Sequence, residues 1–123
     1  MRFVATGWAG VGPANNGLYQ PNTGPALGTW DKPQTPTGSF GYQDIGDNYL
    51  AAYTRSWDKE AQAPWLYNAA TGIMISYEDP ESLAARANYA VSTGLGGAMI
   101  WELGSDDSAG TLLNALAAAL ASA

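Results

Sequence analysis

The sequence predicts an α+β fold: an antiparallel sheet with a helix in the middle of the chain, flanked by β–α elements. Three patterns point there. Residues 64–77 read as a hairpin, with Pro64-Trp65-Leu66-Tyr67 leading in, Asn68-Ala69-Ala70-Thr71-Gly72 turning, and Ile73-Met74-Ile75-Ser76-Tyr77 returning. Asp79-Pro80-Glu81-Ser82 opens a helix that Gly94 ends, and an apolar run from Gly97 to Glu102 follows as a strand. An Ala/Leu-rich helix over 109–121 completes a helix–strand–helix order of the α/β type.

Taken in order, residues 2–8 form a short strand that ends at Gly7-Trp8. Residues 9–39 are irregular, because Gly12-Pro13-Ala14-Asn15-Asn16-Gly17, Gln20-Pro21-Asn22 and Lys32-Pro33-Gln34-Thr35-Pro36 are turn clusters. A connection that long in a small domain is usually functional, and its Tyr19 and Trp30 are suited to hold it on a surface or in a groove. Tyr42, Ile45 and Tyr49 recur at helical spacing, so 40–52 is a helix. Residues 53–57 alternate as a strand does. Asp79 is the N-cap of the next helix, with Pro80 at its first position and Ser82 at its third; the cap falls short of a full box. Residues 97–102 read as a buried strand, and Asp106 and Asp107 cap the last helix. No internal repeat is present.

Composition removes several classes of function. The chain has 123 residues, one domain's worth. Five Lys and Arg face eleven Asp and Glu, a net charge of -6. No cationic cluster exists to neutralise phosphates, so no nucleic acid is expected as a partner, and no anionic membrane surface. No apolar run reaches transmembrane length, and residues 1–8 lack the apolar stretch of a secretory leader. Without Cys or His there is no thiol nucleophile, no Ser-His-Asp triad and no zinc site of the usual ligands. No cofactor and no metal are expected. Five Trp and seven Tyr in so lightly charged a chain suit flat ligand faces such as sugar rings, and equally a small core that needs large side chains.

Chemistry is left to carboxylates, hydroxyls, Tyr, Lys and Arg. Most carboxylates have a structural reading. Asp79 caps a helix, Glu81 sits in its first turn, and Asp44 and Asp47 lie one turn apart on a solvated face. Trp101-Glu102 differs, since it ends an apolar strand, where α/β folds place functional residues. The alternative is Trp101 as a core plug and Glu102 paired with an Arg. Tyr53 and Arg55 share one strand face and offer a phenol and a planar cation to a ligand rich in oxygens, or they are a plain surface pair.

Longer strings carry a resemblance. Asn16-Gly17-Leu18-Tyr19-Gln20-Pro21, Tyr53-Thr54-Arg55-Ser56-Trp57-Asp58, Ala63-Pro64-Trp65-Leu66-Tyr67-Asn68, Ile75-Ser76-Tyr77-Glu78-Asp79-Pro80-Glu81-Ser82 and Gly94-Leu95-Gly96-Gly97-Ala98-Met99-Ile100-Trp101-Glu102-Leu103 run in collinear order over the whole chain. Together they resemble the C-terminal part of bacterial-type glycoside hydrolase family 18 chitinases. The resemblance implies one domain over 1–123. Within it, 9–77 would be the chitinase insertion, and 1–8 and 78–123 the last β-α-β-α elements of an incomplete TIM barrel. It implies that Trp101 floors the sugar site and that Tyr53 and Arg55 line the cleft, with Trp8 and Trp57 as further sugar-binding aromatics. It also implies a parent family that is typically secreted.

The family's acid signature, Asp-x-x-Asp-x-Asp-x-Glu, has no counterpart: Asp44-Ile45-Gly46-Asp47 begins like it, but Tyr49 and Ala51 stand at its next two positions. Its Met-x-Tyr-Asp motif is missing as well. The expectation is a chitinase-like protein that binds chitin or N-acetylglucosamine oligosaccharides without autonomous hydrolysis, since losing a general acid removes orders of magnitude in rate. The alternatives are a minimal glycosidase using Glu102 and Glu78 as substitute carboxylates, and a fragment with no independent function. An unpartnered strand and the apolar stripe Leu112, Leu113, Leu116, Leu120 further predict a homo-oligomer, or a complementing barrel half as partner.

Overall fold

The computed structural model describes residues 1–122. Its sheet comprises β1 (Ala5–Ala9), β2 (Gly24–Pro25), β3 (Ser39–Phe40), β4 (Thr54–Asp58), β5 (Ala63–Asn68) and β6 (Ile73–Ser76). The strands follow the order β2-β1-β6-β5-β4, with β3 also paired to β1, and every pairing is antiparallel. The helices are α1 (Tyr42–Asn48), α2 (Pro80–Ser92) and α3 (Thr111–Ser122). The protein is thus a mixed α+β fold with an antiparallel sheet and three helices.

Local chemistry sets the β5–β6 hairpin. The Asn68 side-chain oxygen accepts from the amides of Ala70 and Thr71, and Gly72 takes a φ of 68° that closes the turn. The resulting register sets Trp65 opposite Ser76 and Leu66 opposite Ile75. Leu66 and Ile75 then enter a core with Ala5, Phe40, Ile45 and Tyr77. Phe40 lies directly on β1 because Gly7 has no side chain; a Cβ there would stand 2.6 Å from the Phe40 ring.

A second core joins the helices. Leu112 and Leu116 of α3 pack on Leu83 and Ala87 of α2 and on Phe3. The leucine stripe therefore finds most of its cover inside the chain, and Leu113 is left 40% exposed. The Asp79 cap closes into a full box, since the Ser82 amide donates to the Asp79 carboxylate at 3.0 Å and the Asp79 amide donates to the Ser82 hydroxyl at 2.9 Å. A Ser hydroxyl reaches as well as the more usual Glu, which corrects the weaker cap expected. Asp106 and Asp107 cap α3 as expected, accepting from the amides of Leu112, Leu113 and Thr111.

Three elements differ from expectation. The first strand runs over 5–9 rather than 2–8 and belongs to the antiparallel sheet. Residues 1–3 instead pair in parallel with Trp101, whose amide donates to the Met1 carbonyl at 2.8 Å and whose carbonyl accepts from Phe3 at 2.6 Å. The helix expected over 40–52 spans only 42–48, because Tyr49 leaves helical geometry to pack edge-on against Phe40 and Tyr53. Residues 97–102 form no strand beyond the single Arg2–Trp101 bridge, and most of the segment is exposed. An apolar pattern specifies a buried strand only where neighbours flank it, and among the described residues only 1–3 pair with it.

Candidate functional site

Trp101 stands out from the surface. Its neighbour Ile100 and the facing Phe3 turn toward the helices, so Trp101 and its bridge partner Arg2 project to the opposite side. The indole is 60% exposed, which excludes the core-plug alternative. Glu102 follows through a cis peptide, is exposed and forms no ion pair among the described residues, so the expected alternative of an Arg partner is also corrected. Leu95, Met99 and Leu103 of the same segment are exposed as well.

Arg55 is occupied. Its Nε and Nη2 donate to Asp79 Oδ2 at 3.1 and 2.8 Å, and Nη2 also donates to Glu81 at 2.8 Å. The guanidinium sits 5.4 Å from the centre of the Trp57 ring. Burial opposes its charge, but the bonds to Asp79 and Glu81 outweigh burial and hold its pKa above the ordinary value. The cluster encloses Tyr77, whose hydroxyl is buried without a hydrogen-bond partner and is pushed up to about 12, chiefly by burial. Tyr53 instead shares a 3.0 Å hydrogen bond with Thr71 of the hairpin turn. The expected strand over 53–57 is β4 over 54–58, so Tyr53 falls just before it and the expected shared strand face is corrected: only Arg55 stands on the strand, and the two side chains have separate partners.

Glu78 is nearly enclosed, with its side chain 11% exposed, and accepts from Arg86 Nε at 2.8 Å. Burial raises its pKa more than Arg86 lowers it. No carboxylate is hydrogen-bonded to another among the described residues, and no group of three metal-ligating side chains gathers there.

Two clefts lie along the β1–β6 ladder. One, of about 200 Å³, is bordered by Trp8, Leu18, Tyr19 and Met74. The other, of about 240 Å³, is bordered by Arg2, Thr6, Ser76, Glu78 and Arg86. Register places Thr6 beside Ser76 and Trp8 beside Met74. Arg2, Thr6, Ser76 and Arg86 carried no motif in the sequence; only the pairing of β1 with β6 brings them together. A third, larger groove of about 660 Å³ separates α2 from residues 95–99 and is bordered by Tyr89, Leu95 and Met99. Asp31 serves its own loop. It closes the turn by accepting from the amides of Gly28 and Thr37 and from the Thr37 hydroxyl, and these bonds, the Thr37 hydroxyl first, lower its pKa.

Comparison with known proteins places this geometry. The family model "Glycosyl hydrolases family 18" matches residues 1–106. Chitinase A1 of Niallia circulans is 45% identical over 96% of the chain, which spans 16% of that protein. Chitinase ChiA74 from Bacillus thuringiensis superposes with a TM-score of 0.90 at 37% identity, over 99% of this chain and 22% of its own. A family 18 N-acetylglucosaminidase from Paenibacillus barengoltzii gives 0.79 at 30% identity, over 97% and 32%. The chain therefore spans less than a third of the length of each of these relatives.

Proposed function

This chain belongs to glycosyl hydrolase family 18, and from that premise we propose that it binds chitooligosaccharides without hydrolysing them. The observation that carries the reading is Trp101: a large indole held out to solvent, beside a carboxylate with no ion-pair partner among the described residues. Such a surface stacks on a pyranose ring while Glu102 accepts from its hydroxyls. Trp8, in the neighbouring cleft, is a second platform. Arg55 keeps Nη1 for a ligand oxygen, with Trp57 and Tyr53 along the same stretch of chain. The names of the relatives, chitinases and an N-acetylglucosaminidase, support this sugar class.

Hydrolysis is not expected of these residues. A glycosidase needs a proton donor poised across the bond from a second carboxylate or its substitute. Glu78 is spent on Arg86, and Glu102 has no carboxylate hydrogen-bonded to it. Leu95, Met99, Trp101 and Leu103 leave exposed apolar side chains that a second copy, or the remaining strands of a barrel, would cover.

Titration of tryptophan fluorescence with an N-acetylglucosamine tetramer tests the reading. Saturable quenching is expected, and Trp101→Ala should remove most of it. Unchanged affinity in that variant would refute the role of Trp101. Release of shorter sugars that stops in Glu102→Gln would replace this reading with the hydrolase one.

A further inference from the structure

We propose that the cleft bordered by Arg2, Thr6, Ser76, Glu78 and Arg86 is a subsite for a carboxylate carried on the bound sugar; the proposal rests on Trp101 being the sugar platform. The first support is position. Arg2, which borders the cleft, is the bridge partner of Trp101, so the cleft and the indole are linked through one residue pair. The second is charge. The protein carries only five Lys and Arg against eleven Asp and Glu, yet two of its cations border one cleft of about 240 Å³. Glu78 offsets only one of them. A net positive charge therefore remains in a concave, partly desolvated place on an acidic protein.

The third support is unused bonding capacity. Arg86 engages Glu78 through Nε, and its two terminal nitrogens have no partner among the described residues. The Arg2 guanidinium has no ion pair there either. Thr6 and Ser76 stand side by side across the β1–β6 ladder and add two hydroxyl donors. Guanidinium forks match the two in-plane oxygens of a carboxylate. The ligand class is accordingly an N-acetylated amino sugar bearing an acidic ether or uronate substituent.

The test compares two disaccharides on the intact protein by calorimetry. Di-N-acetylchitobiose is neutral; N-acetylglucosaminyl-N-acetylmuramic acid has the same rings and amides plus a lactyl carboxylate. At low salt the acidic disaccharide should bind about fivefold more tightly, as a partly exposed charge pair allows. The preference should shrink as salt screens it. Arg2→Gln, an exposed position with no ion pair to lose, should bring the acidic disaccharide down to the level of the neutral one, and Thr6→Val should weaken it in the same direction. Equal affinities, tighter binding of the neutral sugar, or a preference that survives Arg2→Gln would overturn the subsite while leaving Trp101 as a platform. Failure of both disaccharides to bind would overturn the platform and the subsite together.

Discussion

Asp79 does two jobs with two different oxygens, and substitution separates them. Oδ1 accepts from the Ser82 amide and caps α2; Oδ2 accepts both contacts from Arg55 and ties the edge strand β4 to that helix. Loss of an N-cap costs ~1 kcal/mol. The ion pair is valued near the surface end of its range, because the Arg55 side chain is 36% exposed and keeps Glu81 as a partner when Asp79 is lost; that is another ~1 kcal/mol. Asp79→Asn retains a cap acceptor and gives up the charge, so it should cost ~1 kcal/mol; Asp79→Ala should cost ~2 kcal/mol. Urea unfolding followed by circular dichroism reads both. Arg55→Gln should cost more than Asp79→Asn, because it also gives up Glu81 and Trp57, but the double variant should cost less than the sum of the two singles, since the Arg55–Asp79 contact is lost in each. Equal losses for Asn and Ala, or simple additivity of Asp79→Asn and Arg55→Gln in the double variant, would refute the division of labour.

Other outcomes follow from the packing and the charges. In Gly28→Ala the new Cβ would collide with the Ser39 carbonyl and lie 2.7 Å from its amide nitrogen, both backbone atoms, so a loss of ~2 kcal/mol or more is expected in a thermal melt; an unchanged midpoint would contradict that approach. Because burial raises the Glu78 pKa above 4.5, the native state holds that proton more tightly than the unfolded chain, and the contribution of Glu78 to stability falls as pH rises from that value through its folded pKa. Glu78→Gln should abolish that portion of the pH dependence, and wild-type and variant curves that stay parallel would contradict it. Light scattering at micromolar concentration should report self-association through the Leu95–Leu103 surface; a monomer that unfolds cooperatively would show that the surface needs no cover.

What the sequence made legible was local. The Asn68–Gly72 turn, the Asp79-Pro80 cap and the leucine spacing of α3 each act within a few residues, and each forms close to where it was expected. Residues 97–102 failed because a strand is defined by its neighbours, and alternation within one segment does not say whether neighbours exist. The site divides in the same way. Trp101 and Glu102 could be marked from their place at the end of an apolar run. Arg86 could not, because its meaning comes from Glu78 across eight positions, and Thr6 and Ser76 meet only through the register of two strands far apart in sequence. Tyr53 and Arg55 were read as a unit from period-two spacing, but side-chain length and partner geometry send one to Thr71 and the other to Asp79.

The central claim is sugar binding through Trp101 without turnover, and one calorimetric titration with N-acetylglucosamine tetramer, followed by chromatography of the recovered sugar, tests it directly. Saturable heat for the wild-type protein, loss of most of it in Trp101→Ala, and a tetramer recovered intact are predicted. Identical heats in the two proteins, or recovery of shorter sugars that depends on Glu102, would contradict it.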